Sequence, residues 1–534
     1  MILAYTRIIC FNFFMKEKRK LSLFLSPVYI FVLCGCNLKN ISVISSNDIN
    51  GNSSDGLSTS QSIEGGGDPA TINSEEYNNF WNPGTPKYLD ISMSQEAANF
   101  MNSHQTNHND STYHDYYVPC TLKLTVNGVL ETYEEVGIRV KGNMSRANFL
   151  VDNHFSLDSL VHFKLSFKQT FDDEEYTTIT PLQAFKKTWE DTDARKERKN
   201  RTLYGMEKID IKWNRNNDLS KSKQSYALKT FRDNGVLAGN SSLGQVTLSI
   251  NHTNEVTTTY EILECIDDIF IQRHFTAEAS KGDLYKCTYQ NSPANFDPSY
   301  TVGNQIGVEK NATGYHPSYD LKTNKKKSTH QSLLNFINIV NDKTSSASAF
   351  KTKLEEVLNV DEFLMEEAIA YLCGNYDDFR NNMNNYYLYF TSDTNKAYFI
   401  PYDFDRCFGT GCDGKKDYMT NFSAESTKMQ CTEQWQSTNL FWRTICKSTD
   451  SASGHQNVER VEGYRAKYQA NIEKLLNEEK ISRTSFANYV NAFPSEYRGN
   501  SSASSYGETT FANYLTKKIN SIKSNNTTYD IKVS

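Results

Sequence analysis

Two extended runs, Asn385–Thr391 and Lys396–Tyr402, read as a β-hairpin, and each open end of it runs into a cluster of carboxylates and amides. One cluster is Gly374-Asn375-Tyr376-Asp377-Asp378-Phe379-Arg380-Asn381-Asn382-Met383-Asn384-Asn385. The other is Ile400-Pro401-Tyr402-Asp403-Phe404-Asp405-Arg406. Paired strands lie about 5 Å apart, so the two clusters must converge. An apolar helix, Phe363–Leu372, feeds the first cluster. Hard oxygen ligands of this kind suit Mg²⁺, which takes one or two carboxylates plus substrate phosphates. An Asp free of metal can accept a proton from a hydroxyl nucleophile. Asn and Asp also form turns, so a plain surface loop accounts for the same residues.

The remaining pattern predicts an α+β chain. Ser92–Met101 has helical spacing with Ser94 as N-cap. Cys120–Val126, Asn127-Gly128 and the run that follows give a hairpin. Val136–Val140, His162–Phe167, Gln245–Ile250 and Thr257–Glu264 read as strands. Ser225–Asp233, Asp267–Ala279, Gln331–Val340, Lys351–Leu358 and Val360–Leu372 read as helices. Beyond Glu459 the pattern is helical to Ser524. Strands dominate early and helices late, within 534 residues that suffice for one large or two medium domains. A net charge of −6 gives no reason to expect nucleic-acid binding. The 32 Tyr are accounted for by Tyr-rich strands facing solvent.

The N-terminus carries an export pattern. A basic patch, Met15–Lys20, precedes an apolar run, Leu21–Leu33, and then Leu33-Cys34-Gly35-Cys36. This reads as a signal peptide over residues 1–36, ending in a lipobox that acylates Cys36. A single membrane anchor is the rival, but the run of 13 residues is short of the roughly 20 a span needs. Residues 37–79 are rich in Ser, Asn and Gly and read as a flexible tether. The expected location is the cell envelope, outside the cytoplasm, on a lipid anchor. Eight cysteines remain in the body, and an oxidising compartment permits disulfides. Cys407 and Cys412 are spaced to close a small loop, and free buried thiols are the alternative.

Six segments, in order, resemble the spore-coat-H (CotH) kinase family. They are Gly137-Ile138-Arg139-Val140-Lys141-Gly142-Asn143-Met144-Ser145, His162–Phe167 and Tyr260–Asp267. Asp283-Leu284-Tyr285-Lys286 follows, then Gly374–Asp377 with Asn384–Tyr389, and Ile400–Asp405 with Phe408-Gly409. The resemblance spans Leu122–Gly409. It implies a distant protein-kinase-like fold with a mixed or antiparallel sheet and a helical C-terminal region. The kinase-like domain would cover 86–450, with 451–534 as a helical extension. It further implies an atypical protein kinase that transfers the ATP γ-phosphate to a protein Ser/Thr hydroxyl with Mg²⁺. By position, Lys164 meets nucleotide phosphate, Glu264 orients that lysine or contacts nucleotide, and Arg139, Lys141 and Lys286 face phosphate. Asp377 is the implied catalytic base. Asn382 and Asn385 are metal or loop-ordering residues, and Asp403 and Asp405 are Mg²⁺ ligands. The chain departs from the pattern at Lys221-Ser222-Lys223-Gln224, and Tyr376 and Tyr402 stand where the family carries Trp. The alternatives are a non-catalytic adhesin or binding module on the same scaffold, and a carbohydrate-binding protein.

Acylation at Cys36 has a direct test. Cys36→Ser should move the protein from the membrane fraction to the soluble one, read by fractionation and blotting. Unchanged partitioning contradicts the lipobox.

Overall fold

In the computed structural model, seven strands close into a barrel. The structure describes residues 73–290, 292–310, 313–375, 377–410, 439–446, 455, 457–503 and 510–524. The expected signal segment with Cys36, and residues 37–72 of the expected tether, lie outside the described residues. The barrel strands are β1 (Lys87–Met93), β2 (Val118–Val126) and β3 (Val129–Lys141). A small hairpin follows, β4 (Leu150–Val151) and β5 (His154–Phe155). The barrel continues with β6 (His162–Ser166), β7 (Lys208–Lys212), β8 (Ser241–Ile250) and β9 (Thr253–Glu264). Neighbours run antiparallel except at the closure, where β8 lies parallel to β1. At the β2–β3 turn, Asn127 and Gly128 take φ of 49° and 81°. Two left-handed residues in a two-residue turn match the twist of the strands they join.

Alternation along these strands sorts the chemistry. Ile138, Val140, Phe163, Leu165, Ile209, Ile211 and Ile262 are fully buried in the barrel core. Arg139, Lys141, Lys164, Asp210 and Lys212 alternate with them and so stand on the outer face.

A second sheet packs beside the barrel. Its strands are β10 (Asp283–Cys287), β11 (Ile306–Gly307), β12 (Tyr319–Leu321), β13 (Tyr386–Phe390) and β14 (Ala397–Pro401), in the order β11-β12-β10-β13-β14. The helix Val360–Cys373 lies against β14 and against the helices Lys223–Asp233 and Glu462–Asn477. Tyr319, Tyr386 and Tyr389 are buried, and Tyr386 stacks on Phe399 with centroids 5.5 Å apart. These tyrosines fill cores rather than coat solvent-facing strands, which corrects the expectation from composition.

Three further expectations change. Residues 75–79, expected as tether before a body starting near Pro86, belong to the helix Glu75–Trp81. Tyr77, Phe80 and Trp81 on it are buried. The tail expected as a separate extension over 451–534 is built into the main core through Tyr464, Tyr468, Ile472 and Tyr514. Tyr514 Oη donates to the Leu372 carbonyl at 2.9 Å. Cys407 is a free thiol, so it closes no loop with Cys412, which lies outside the described residues. Cys120, Cys265, Cys287 and Cys373 are also free and buried, whereas Cys446 is disulfide-bonded. Among the described residues no helix is long and apolar enough to cross a membrane.

The docked helix sets where the chain tolerates truncation. Tyr77 Oη donates to Glu264 Oε1 at 2.8 Å, and the Arg273 guanidinium lies 4.3 Å from the Tyr77 ring centroid. Tyr77→Ala removes a buried ring and a partner of a buried ion pair, and should cost about 3–5 kcal/mol in denaturant unfolding. Deletion through Asn73 should leave the transition unchanged, whereas deletion through Asn82 should lower it. Equal transitions for the two truncations would contradict the docking.

Candidate active site

Strand register builds the first half of the site. Lys164 on β6 pairs with Arg139 on β3 and with Asp210 on β7, so all three share the outer face. Asp210 has a side-chain exposure of 2%. It takes Lys141 Nζ at 2.7 Å on one oxygen and Lys164 Nζ at 3.1 Å on the other. Burial pushes the Asp210 carboxyl up, but the two ammonium groups outweigh it and hold the group well below the usual carboxylate range. Burial opposes the charge on Lys164, and Asp210 more than restores it. Lys164 also donates to Cys265 Sγ at 3.4 Å.

Tyr402, at the end of the β13–β14 hairpin, ties this face to the second sheet. Its hydroxyl accepts from Lys141 Nζ at 3.0 Å. Lys141 and Lys286 lie 5.6 and 5.5 Å from its ring centroid. Burial, together with Lys322, Lys141 and Lys164 nearby, pushes the Lys286 ammonium down to about 8. Three lysines from β3, β6 and β10 thus cluster around Tyr402 and Asp210, with Asp210 as the carboxylate between two of them.

The second half comes from the polar clusters. The helix Val360–Cys373 stops at Gly374, whose φ of 58° and ψ of 40° form a left-handed cap. Asn375 is fully buried and its Nδ2 donates to the Asp403 carbonyl at 3.3 Å, joining the two clusters. Asp377 Oδ1 accepts from Asn382 Nδ2 at 2.8 Å and Asn384 Nδ2 at 3.2 Å, and Oδ2 faces Arg406 at 3.3 Å. Asn385 Nδ2 donates to the Asp377 carbonyl at 2.8 Å. Asp377, Asn382, Asn384 and Tyr289 line an open depression. Tyr376 lies outside the described residues.

Asp403 and Asp405 converge on Lys212 of β7. Lys212 Nζ bonds Asp403 Oδ1, sits 3.0 Å from Asp405 Oδ2 and donates to Gln224 Oε1 at 3.0 Å. Burial raises the Asp403 carboxyl, but Lys212 and Lys141 outweigh it and hold the group well below the usual range. Burial and then the Asp403 charge raise Asp405, against the pull of Lys212. Among the described residues no three His, Cys, Asp or Glu side chains form a ready-made metal cage. Two carboxylates aimed at one cation nevertheless fit Mg²⁺, which completes its shell with water and substrate phosphate.

Several sequence assignments move. Glu264 does not orient Lys164. Its oxygens take Arg273 Nη1 at 2.8 Å, Tyr77 Oη and Asn240 Nδ2. The reason is register: Glu264 pairs with Ile209, and Leu263 pairs with Asp210, so Glu264 stands on the opposite face. Arg139 is engaged by the His114 carbonyl at 2.9 Å and Asp115 at 3.5 Å rather than by the lysine cluster. The Asn382 and Asn385 amides order the Asp377 turn, which is the loop-ordering half of their expected role. Asp210 and Lys212 went unnoticed in the sequence. Their signal was the alternation Lys208-Ile209-Asp210-Ile211-Lys212, with charge on one face and Ile on the other.

Lys286 offers a pH test of anion binding at this lysine cluster. Its ammonium is lost as pH rises through about 8, so pyrophosphate binding measured by calorimetry should weaken across that range. Lys286→Gln should weaken binding at pH 7 and remove that step. A wild-type profile that stays flat through pH 9 contradicts the assignment.

The chain matches the family model described as CotH kinase protein over residues 138–528. A search of curated proteins gave no match. Among solved structures, the crystal structure of a Helicobacter pylori proinflammatory kinase, CtkA, is similar at 9% identity and a TM-score of 0.27, covering 60% of this chain and 87% of that chain. The family match takes in both halves of the site and most of the chain, and the chain belongs to the CotH kinase protein family.

Proposed function

We propose that the protein is an atypical protein kinase that moves the ATP γ-phosphate to a Ser or Thr hydroxyl of a cell-envelope or surface protein. The observation that carries this reading is the convergence of three elements: a lysine cluster fixed by Asp210, a carboxylate pair aimed at one cation, and a separate amide-oriented Asp. Phosphoryl transfer depends on positioning and on charge stabilisation. Lys164 and Lys141 are pre-aimed by a carboxylate and offer ammonium groups to phosphate oxygens. Lys286 adds a third cation, 5.5 Å from the Tyr402 ring centroid. Asp403 and Asp405 would hold Mg²⁺, with Asp403 as the main ligand because its neighbours keep it ionised. Bound there, the metal would supply neutralisation of phosphate charge.

Asp377 would act on the acceptor. Its carboxylate is fixed by Asn382, Asn384 and Arg406, yet it lines an open depression that a protein hydroxyl can reach. It would take the hydroxyl proton as that oxygen bonds the γ-phosphorus and the bond to the β,γ-bridging oxygen breaks, releasing ADP. The basic, apolar and Leu-Cys-Gly-Cys order at Met15–Cys36 supports placement outside the cytoplasm on a lipid anchor. A distant kinase-like arrangement, with the barrel as the nucleotide-binding half, follows from the same reading.

The assigned roles separate by experiment. A metal ligand acts on nucleotide binding, whereas a base acts on transfer. Asp377→Asn should therefore bind Mg-ATP as the wild type does and transfer no label to a generic Ser-rich protein. Asp403→Asn should lose both. Lys164→Ala should weaken ATP binding about tenfold, or about 1.4 kcal/mol. An Asp377→Asn variant that transfers phosphate normally contradicts the assignment. A wild type that binds nucleotide and transfers phosphate to no acceptor favours a binding module on the same scaffold.

A further inference from the structure

We propose that Lys212 is the resident counter-cation of the Asp403–Asp405 pair, and that a divalent cation enters this site only together with a polyphosphate. The proposal rests on the phosphotransfer reading of the same site. Lys212 rises from the outer face of β7, and its side chain is 7% exposed. Its ammonium bonds Asp403, meets Asp405 Oδ2 at 3.0 Å and donates to Gln224 Oε1 at 3.0 Å. Those three contacts engage all three ammonium protons. Gln224 is itself held, since its Nε2 donates to Glu261 Oε2 at 2.7 Å.

The charge count then decides what can bind. Two carboxylates and one ammonium leave one net negative charge. A divalent cation added alone makes the group net positive and sets two cations a few ångströms apart, where repulsion in a partly buried site is strong. It also competes with Lys212 for the same two carboxylates. A nucleoside triphosphate brings enough negative charge for both cations to remain. Its phosphates offer Lys212 new acceptors while the metal takes the carboxylates. Beside Lys212 and Asp405 lies a cavity lined by Trp213, Asn214, Asn216 and Thr259, which gives the ammonium room to move. Metal and nucleotide should therefore bind cooperatively, with Lys212 as the source of the coupling.

The test is Mn²⁺ titration of the full-length protein, followed by electron paramagnetic resonance, with and without a non-hydrolysable ATP analogue. Lys212→Met should bind Mn²⁺ alone at least tenfold more tightly than the wild type. The analogue should tighten Mn²⁺ binding far more in the wild type than in the variant. Lys212→Gln, which keeps a hydrogen-bond donor without the charge, should behave like Lys212→Met. Equal Mn²⁺ affinities of wild type and variants overturn the proposal and leave the kinase reading standing. Absence of Mn²⁺ binding to the wild type even with the analogue overturns both.

Discussion

Asp210 is the contact on which the lysine cluster depends. A carboxylate at 2% exposure stays ionised only beside compensating charge, and Lys141 and Lys164 supply it from two neighbouring strands. The pairing works in both directions. Without Asp210 the outer face of the barrel would present Lys141 and Lys164 to each other and to Lys286 with no anion between them. That face packs against a second sheet, so unneutralised cations there would oppose the packing. The same ion triad thus permits the two sheets to meet with three lysines gathered where they touch.

The carboxylate half of the site is positioned by backbone that runs against intrinsic preference. Met383, Asn385 and Asp403 take left-handed φ of 52°, 55° and 61°, a region non-glycine residues seldom occupy. They bracket the β13–β14 hairpin at both ends. The buried Asn375 amide, the Asp377 turn and the Lys212 bridge hold these conformations in place. A rigid hairpin in an aromatic core therefore carries two carboxylate clusters at a fixed offset, and side-chain amides choose which oxygens remain available.

Much of this was legible in the sequence because it is local. The Asn127-Gly128 turn, the Ser94 cap, the hairpin and the helix ending at Gly374 each follow from turn chemistry and spacing. What escaped is long-range. Five residues of β7 show no more than a short alternation, yet closing the barrel sets Asp210 opposite Lys164 and Lys212 beneath Asp403. Glu264 looked like the partner of Lys164 because motif order says nothing of which sheet face a residue takes. The helix Glu75–Trp81 was hidden in a polar stretch, although Tyr77, Phe80 and Trp81 recur at helical spacing. The C-terminal helices read as an extension because their partners, such as Leu372, lie more than a hundred residues away.

The central claim is that the lysine cluster and the carboxylate pair together bind a nucleoside triphosphate with its metal. Calorimetric titration of the full-length wild type with ATP, in the presence and absence of Mg²⁺, tests it most directly. The account predicts saturable binding that strengthens sharply with Mg²⁺. No detectable binding at millimolar Mg-ATP would contradict it.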